Sequence, residues 1–118
     1  MAKILIVDDS KTSRKILREI LESDGHQIIG EAANGKEGVS KYIELKPDIT
    51  TMDITMPIMN GLDALKEIVD YDKDAKVIMV TAAGQKTKMV DAVKFGAAEF
   101  LAKPFEAAQI IDIINKTL

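Results

Sequence analysis

Short apolar runs along this chain end in residues suited to metal and phosphate chemistry. Lys3-Ile4-Leu5-Ile6-Val7 stops at Asp8-Asp9-Ser10, the run 48–52 stops at Asp53, the run 76–80 stops at Thr81, and the run 98–101 is soon followed by Lys103-Pro104. A buried strand gains nothing in packing by ending in an acid, so several acids at such ends are informative. Three carboxylates brought close together repel, and one takes up a proton unless a cation compensates them. Hard Mg2+ suits such a set, because it accepts carboxylates together with waters and rarely demands a full protein cage. Lys103 adds a point charge matched to a phosphoryl oxygen, and Thr81 a hydroxyl donor for another. A carboxylate is ionised at neutral pH and needs no general base to act as nucleophile. Positioning and charge neutralisation supply nearly all of the catalysis in phosphoryl transfer. The set suffices for phosphorylation of Asp53 by a reactive donor. The competing reading of Asp8-Asp9-Ser10 is a helix N-cap cluster. It explains one acid before a helix and leaves Asp53 and Lys103 unexplained.

The elements between these residues follow a regular rhythm. Ile16, Leu17, Ile20 and Leu21 recur at helical spacing, and Gly25 marks the end of that helix. Residues 27–33 read as a second strand closed by Asn34-Gly35, and Val39, Tyr42 and Ile43 mark a second helix ending at Lys46-Pro47. Leu62, Leu65, Ile68 and Val69 form the stripe of a third helix; Met89, Val90 and Val93 belong to a fourth, capped by Gly96. Ala107, Ile110, Ile111 and Ile114 mark a fifth, with Ile113 on its flank as a deeper core contact or as part of a partner surface. Five β-α units predict an α/β fold, a doubly wound five-stranded parallel sheet with helices on both faces. In such sheets ligands bind beyond the carboxyl ends of the strands, where the acids, Thr81 and Lys103 fall.

Composition narrows the function classes. The chain has 118 residues, a formal charge of −3 and no cysteine, which fits one domain over residues 1–118 and excludes disulfides and thiolate metal sites. The acidic balance argues against nucleic-acid binding. The first residues lead directly into a strand rather than a signal peptide, and no apolar stretch approaches the roughly 18–20 residues of a membrane span. A cytoplasmic monomer with no membrane contact is the expectation.

Asp8-Asp9, the segment Asp53-Ile54-Thr55-Met56-Pro57-Ile58-Met59-Asn60-Gly61, Thr81 and Lys103-Pro104-Phe105 together resemble the response-regulator receiver domain, over the whole chain and with its spacing. Within that family the chain is similar to the stand-alone chemotaxis regulators. The resemblance implies a flavodoxin-like sheet of order 2-1-3-4-5, no output domain, and a switch rather than an enzyme with an external substrate. It implies Asp53 as phosphoacceptor and Mg2+ held by Asp8, Asp9, Asp53 and the Thr55 backbone carbonyl. It gives Lys103 and Thr81 contacts to the phosphoryl group, makes Thr81 and Phe100 the switch pair, and makes Thr55 and Ala83 the lifetime-tuning positions. Phe100 reads equally well as a core aromatic. A cis Lys103-Pro104 bond is also implied. The implied partners are a sensor histidine kinase as donor, a flagellar motor switch protein or other effector on the face of helix 4, strand 5 and helix 5, and a phosphatase. A phosphorelay intermediate is the alternative. A magnesium phosphatase is remote, because haloacid-dehalogenase-like enzymes place the nucleophile on the first strand and the acidic pair later.

The remaining conspicuous residues have plainer readings. His26, the single histidine, is expected to be solvated in a turn. Met52 and Met79 read as core, and Met56 and Met59 as loop packing. Gly61 and Gly84 are expected to permit unusual backbone angles.

Overall fold

Strand β1 (Lys3–Val7) alternates Ile4 and Ile6 on one face with Leu5 and Val7 on the other, and all four are buried. A strand apolar on both faces needs a layer of helices on each, and both layers are present. The computed structural model describes residues 1–82 and 84–118. In chain order the further elements are α1 (Lys11–Ser23), β2 (Gln27–Ala32), α2 (Gly35–Leu45), β3 (Ile49–Asp53), α3 (Gly61–Tyr71), β4 (Val77–Thr81), α4 (Lys86–Lys94), β5 (Glu99–Ala102) and α5 (Ala107–Thr117). All strand pairs are parallel, in the order β2-β1-β3-β4-β5. Fold class and strand order are those expected.

Two cores sandwich the sheet. On one face Ile4, Ile6, Ile28, Ile49 and Ile78 meet Leu17 and Leu21 of α1 and Ile110 and Ile114 of α5. On the other, Leu5, Val7, Met52, Val77 and Met79 meet Tyr42 of α2, Ala64, Leu65 and Ile68 of α3, and Ala92 of α4. Ile113 packs against the first cluster, as expected of a core contact.

The last three strands lie one residue further along than their apolar runs suggest. Asp53 pairs with Val80 and Thr81 with Ala102, so each ladder takes in the polar residue at its end. Asp53 and Thr81 are thereby held by the sheet itself.

Two expectations are corrected, at His26 and at Gly61. His26 is only 6% exposed: its Nδ1 accepts the Ala2 N–H at 3.0 Å and its Nε2 lies 3.3 Å from Asp24 Oδ2. The turn after α1 folds beneath the start of β1, where Gln27 N–H donates to the Ala2 carbonyl, and this encloses the ring. Helix α4 forms where expected and leaves Val90 and Val93 each 59% exposed; among its described residues the buried one is Ala92. Gly61 has no positive φ, whereas Gly84 has φ 93°. Gly61 is needed for space instead, since a Cβ there would lie 1.9 Å from the Asp53 carbonyl oxygen.

Candidate acidic site at the carboxyl edge of the sheet

Asp8 is the residue immediately after β1, and Asp53 is the last residue of β3, the neighbouring strand. One carboxylate oxygen from each of Asp8, Asp9 and Asp53 lies within 4.8 Å of the others. Asp8 is buried, Asp9 is exposed, and the Asp53 side chain is 12% exposed. The N-cap reading of this segment applies to Ser10 alone, whose hydroxyl accepts the Ser13 N–H. Both acids are therefore free of capping duty at α1. Asp8 is fixed by the Ser10 N–H on its Oδ1, at 2.8 Å, and by Arg14, whose Nη1 donates to the Asp8 carbonyl at 2.7 Å.

Lys103 completes the group from the far side of the sheet. Its Nζ lies 3.2 Å from Asp8 Oδ2 and 3.3 Å from Asp53 Oδ2. The Lys103-Pro104 bond is cis, and the Lys103 N–H donates to the Thr81 carbonyl at 2.7 Å, joining the end of β5 to the end of β4. Thr81 itself is buried.

One lysine stands among three carboxylates, and two of these four groups, Asp53 and Lys103, feel it in their protonation. Burial pushes the Asp53 carboxyl above the ordinary range and Asp8 adds to this, while Lys103 and the Ile54 N–H oppose it. For Lys103, burial disfavours the charge, but Asp53 and Asp8 outweigh it and the ammonium is held more firmly than usual. A rim with excess negative charge and only oxygen donors suits a hard divalent cation.

The loop after Asp53 is built by α3. The Gly61 N–H donates to the Ile54 carbonyl at 2.7 Å, and Asn60 caps α3 through the Asp63 N–H. Gly35, at the start of α2, donates to the Met59 carbonyl. Ile58 turns the loop with φ 69° and is exposed. Thr55 is exposed, and its hydroxyl accepts from Gln85 Nε2. Phe100 is half-buried on the cluster that includes Met79, opposite which it pairs. Ala83 lies outside the described residues. Beside the acids, Ile16, Leu17 and Ile20 of α1 line a concavity of about 410 Å³ with Pro104 and Phe105.

Sequence reasoning missed Arg14, Gln85 and the turn at Ile58. Arg14 carried a faint signal, since it stands one helical turn after the Ser10 cap on the side of Asp8. Gln85 and Ile58 carried none.

Residues 4–115 match the family described as Response regulator receiver domain. The chain is 49% identical over 114 residues to a chemotaxis protein CheY of Thermotoga maritima, covering 97% of this chain and 95% of that protein. It is 47% identical over 116 residues to a chemotaxis protein CheY of Bacillus subtilis, covering 98% and 97%. A crystal structure of a CheX-CheY-BeF3-Mg2+ complex from Borrelia burgdorferi superposes with a TM-score of 0.93 at 40% identity, over 97% of this chain and 87% of that one. The order of strands, the acidic rim and these likenesses agree: the chain belongs to the response regulator receiver domain family, as a CheY-like receiver in two-component signalling.

Proposed function

We propose that this chain is a stand-alone chemotaxis response regulator in which Asp53 accepts a phosphoryl group from a phosphohistidine of a CheA-like sensor kinase. The observation that carries the reading is the convergence of Asp8, Asp9 and Asp53 within 4.8 Å, with Lys103 Nζ in contact with Asp8 and Asp53. An Asp53 oxygen attacks phosphorus, the bond from phosphorus to the imidazole nitrogen breaks, and that nitrogen keeps the electron pair and takes up a proton. In the separate step of dephosphorylation water attacks phosphorus, the bond to Asp53 breaks with its electrons kept by the carboxylate, and inorganic phosphate and a proton leave.

Asp8, Asp9, Asp53 and the Thr55 carbonyl would hold Mg2+ in this reading. When bound, the ion offsets the charge of the acids and of the phosphoryl oxygens. Lys103 orients the donor's phosphoryl group by charge, and the Thr81 hydroxyl supplies a second donor as its loop moves inward. Phe100 follows into the space Thr81 leaves. Thr55 and Ala83 set the lifetime of the phosphorylated state through access of water to phosphorus. The change at Asp53 alters affinity for a flagellar motor switch protein or another effector on the face of α4, β5 and α5, where Val90 and Val93 are exposed. A phosphatase is a further expected partner, and the Borrelia burgdorferi relative is itself seen in complex with a second protein, CheX. The protein acts as a cytoplasmic monomer; among the described residues no helix is long and apolar enough to cross a membrane.

Acetyl phosphate with Mg2+ tests this. Asp53 displaces acetate, which departs with the electrons of its bond to phosphorus, and the protein gains an acid-stable, base-labile phosphoryl group. Peptide mapping is expected to place the label on Asp53, and Asp53→Asn to abolish it. Label on another residue with Asp53 unmodified, or none at all, overturns the proposal.

A further inference from the structure

The side chain of Gln85 joins the two loops that flank the acidic rim. Its Oε1 accepts the Ala82 backbone N–H at 3.2 Å, and its Nε2 donates to the Thr55 hydroxyl at 2.5 Å. Thr55 stands two residues beyond Asp53, and Ala82 directly follows Thr81 and lines one concavity with Asp8 and Lys103. Gln85 is also the N-cap residue of α4, yet its side chain makes no bond to that helix. Ser10, Asn34 and Asn60 each cap their own helix from the same position. The Gln85 carboxamide is thus turned away from its helix and toward the site.

The two bonds differ in what an arriving anion does to them. A backbone N–H bonds an ionised oxygen about twice as strongly as a neutral amide oxygen. An oxyanion on Asp53 within reach of Ala82 therefore outcompetes Gln85 Oε1 for that donor. The carboxamide then retains one exposed bond, to Thr55, and the first turn of α4 loses a tether. Among the described residues of α4 only Ala92 is buried, so little else holds that turn.

We propose that Gln85 is a positioning residue that latches the unphosphorylated state, occupying the Ala82 N–H and spanning to Thr55 until a phosphoryl oxygen displaces it. The latch opposes phosphorylation of Asp53 and transmits its arrival to α4. This rests on the reading of Asp53 as phosphoacceptor.

Two variants test it against the wild-type chain, with acetyl phosphate and saturating Mg2+ as the probe. Gln85→Ala removes the side chain, and Gln85→Met keeps its length without either bond. Both are expected to label Asp53 faster by roughly 2- to 10-fold, the equivalent of one neutral hydrogen bond no longer broken. The Ala82 amide resonance is expected to shift in both unphosphorylated variants toward its position in phosphorylated wild type. A residue that merely braces the loops predicts the opposite sign, with labelling slower or unchanged and the melting temperature lowered. Unchanged or slower labelling in either variant overturns the latch. Absence of label on wild type overturns the phosphoacceptor reading itself, and the latch with it.

Discussion

Replacing Gly61 by alanine tests whether the close approach of α3 to β3 positions Asp53. A Cβ at Gly61 would lie 1.9 Å from the Asp53 carbonyl oxygen, 2.8 Å from its carbonyl carbon and 2.9 Å from Ile54 Cα. All three are backbone atoms, so no side-chain rotation relieves the overlap. Reaching ordinary contact requires a displacement of roughly 1.5 Å, in a packed interior that yields little. The bond from Gly61 N–H to the Ile54 carbonyl lies on the same path and is strained with it. Overpacking of this kind costs about 1–3 kcal/mol, and the lost backbone bond about 1 more. Alanine's better helix propensity returns about 1 kcal/mol, which leaves a net loss of about 1–3. For a domain of this size that is a fall in melting temperature of roughly 4–12 °C. The effect on chemistry is larger, since a misplacement of about 1 Å can cost on the order of 100-fold in rate. Thermal melts by circular dichroism and initial rates of Asp53 labelling read the two effects. Gly25→Ala is the control: φ is 87° but nothing lies within 4 Å, so it should cost about 1 kcal/mol with labelling intact. A Gly61→Ala protein that melts and labels like wild type would refute the argument.

Three further outcomes are expected. Adding Mg2+ at about 100 times its dissociation constant should stabilise the fold by about 2.7 kcal/mol, and Asp9→Ala should erase that gain. Scanning calorimetry with and without the ion checks this, and a shift that survives in the variant counts against Asp9 as a ligand. Glu31 is gripped by Arg14 Nε at 2.9 Å and Arg18 Nε at 2.7 Å. Burial works against its charge, but the two guanidinium bonds prevail and its carboxyl lies below the ordinary range. Its stabilising contribution is thus complete above the unfolded-state value of about 4.3 and is lost as pH falls through the lower folded value. Glu31→Gln should therefore be less stable by about 0.5–1 kcal/mol at neutral pH, with the gap closing in acid; a gap constant in urea melts from pH 7 to pH 3 would contradict this. The Tyr42 hydroxyl donates to Asp72 Oδ2 at 2.8 Å, from α2 to the end of α3. Tyr42→Phe should cost about 1 kcal/mol in denaturant unfolding, without change in labelling rate.

The acidic site was legible because its signal is discrete. An apolar run that switches to Asp at Asp8 or Asp53 marks both a strand's end and its face of the molecule, and a doubly wound sheet brings those ends together. Lys103 was legible for the same reason, one residue past β5. His26 was not, because its burial depends on the start of β1 passing over the turn. The glycine requirement at Gly61 was legible but its cause was not: sequence suggests dihedral freedom, whereas the constraint is the Asp53 carbonyl. Gln85 was invisible because both partners, Ala82 and Thr55, become neighbours only in the folded chain, and glutamine is an unremarkable residue before a helix.

The exposure of Val90 and Val93 on α4 bears on function. Periodicity tells which residues share a face and not whether a partner surface exists to cover it. Helix α3 buries Ala64, Leu65 and Ile68, and α1 and α5 bury Leu17, Leu21, Ile110 and Ile114, so displacing any of them opens cavities worth several kcal/mol. Helix α4 contributes Ala92 alone among its described buried side chains, and leaves Val90 and Val93 largely in solvent. A change of charge at one carboxylate supplies only a few kcal/mol. Such a sum is small against the packing of α3, and larger relative to that of α4, whose fully buried side chain among those described is Ala92. The thin packing beneath α4 is therefore where chemistry at the acidic rim can become a change of shape.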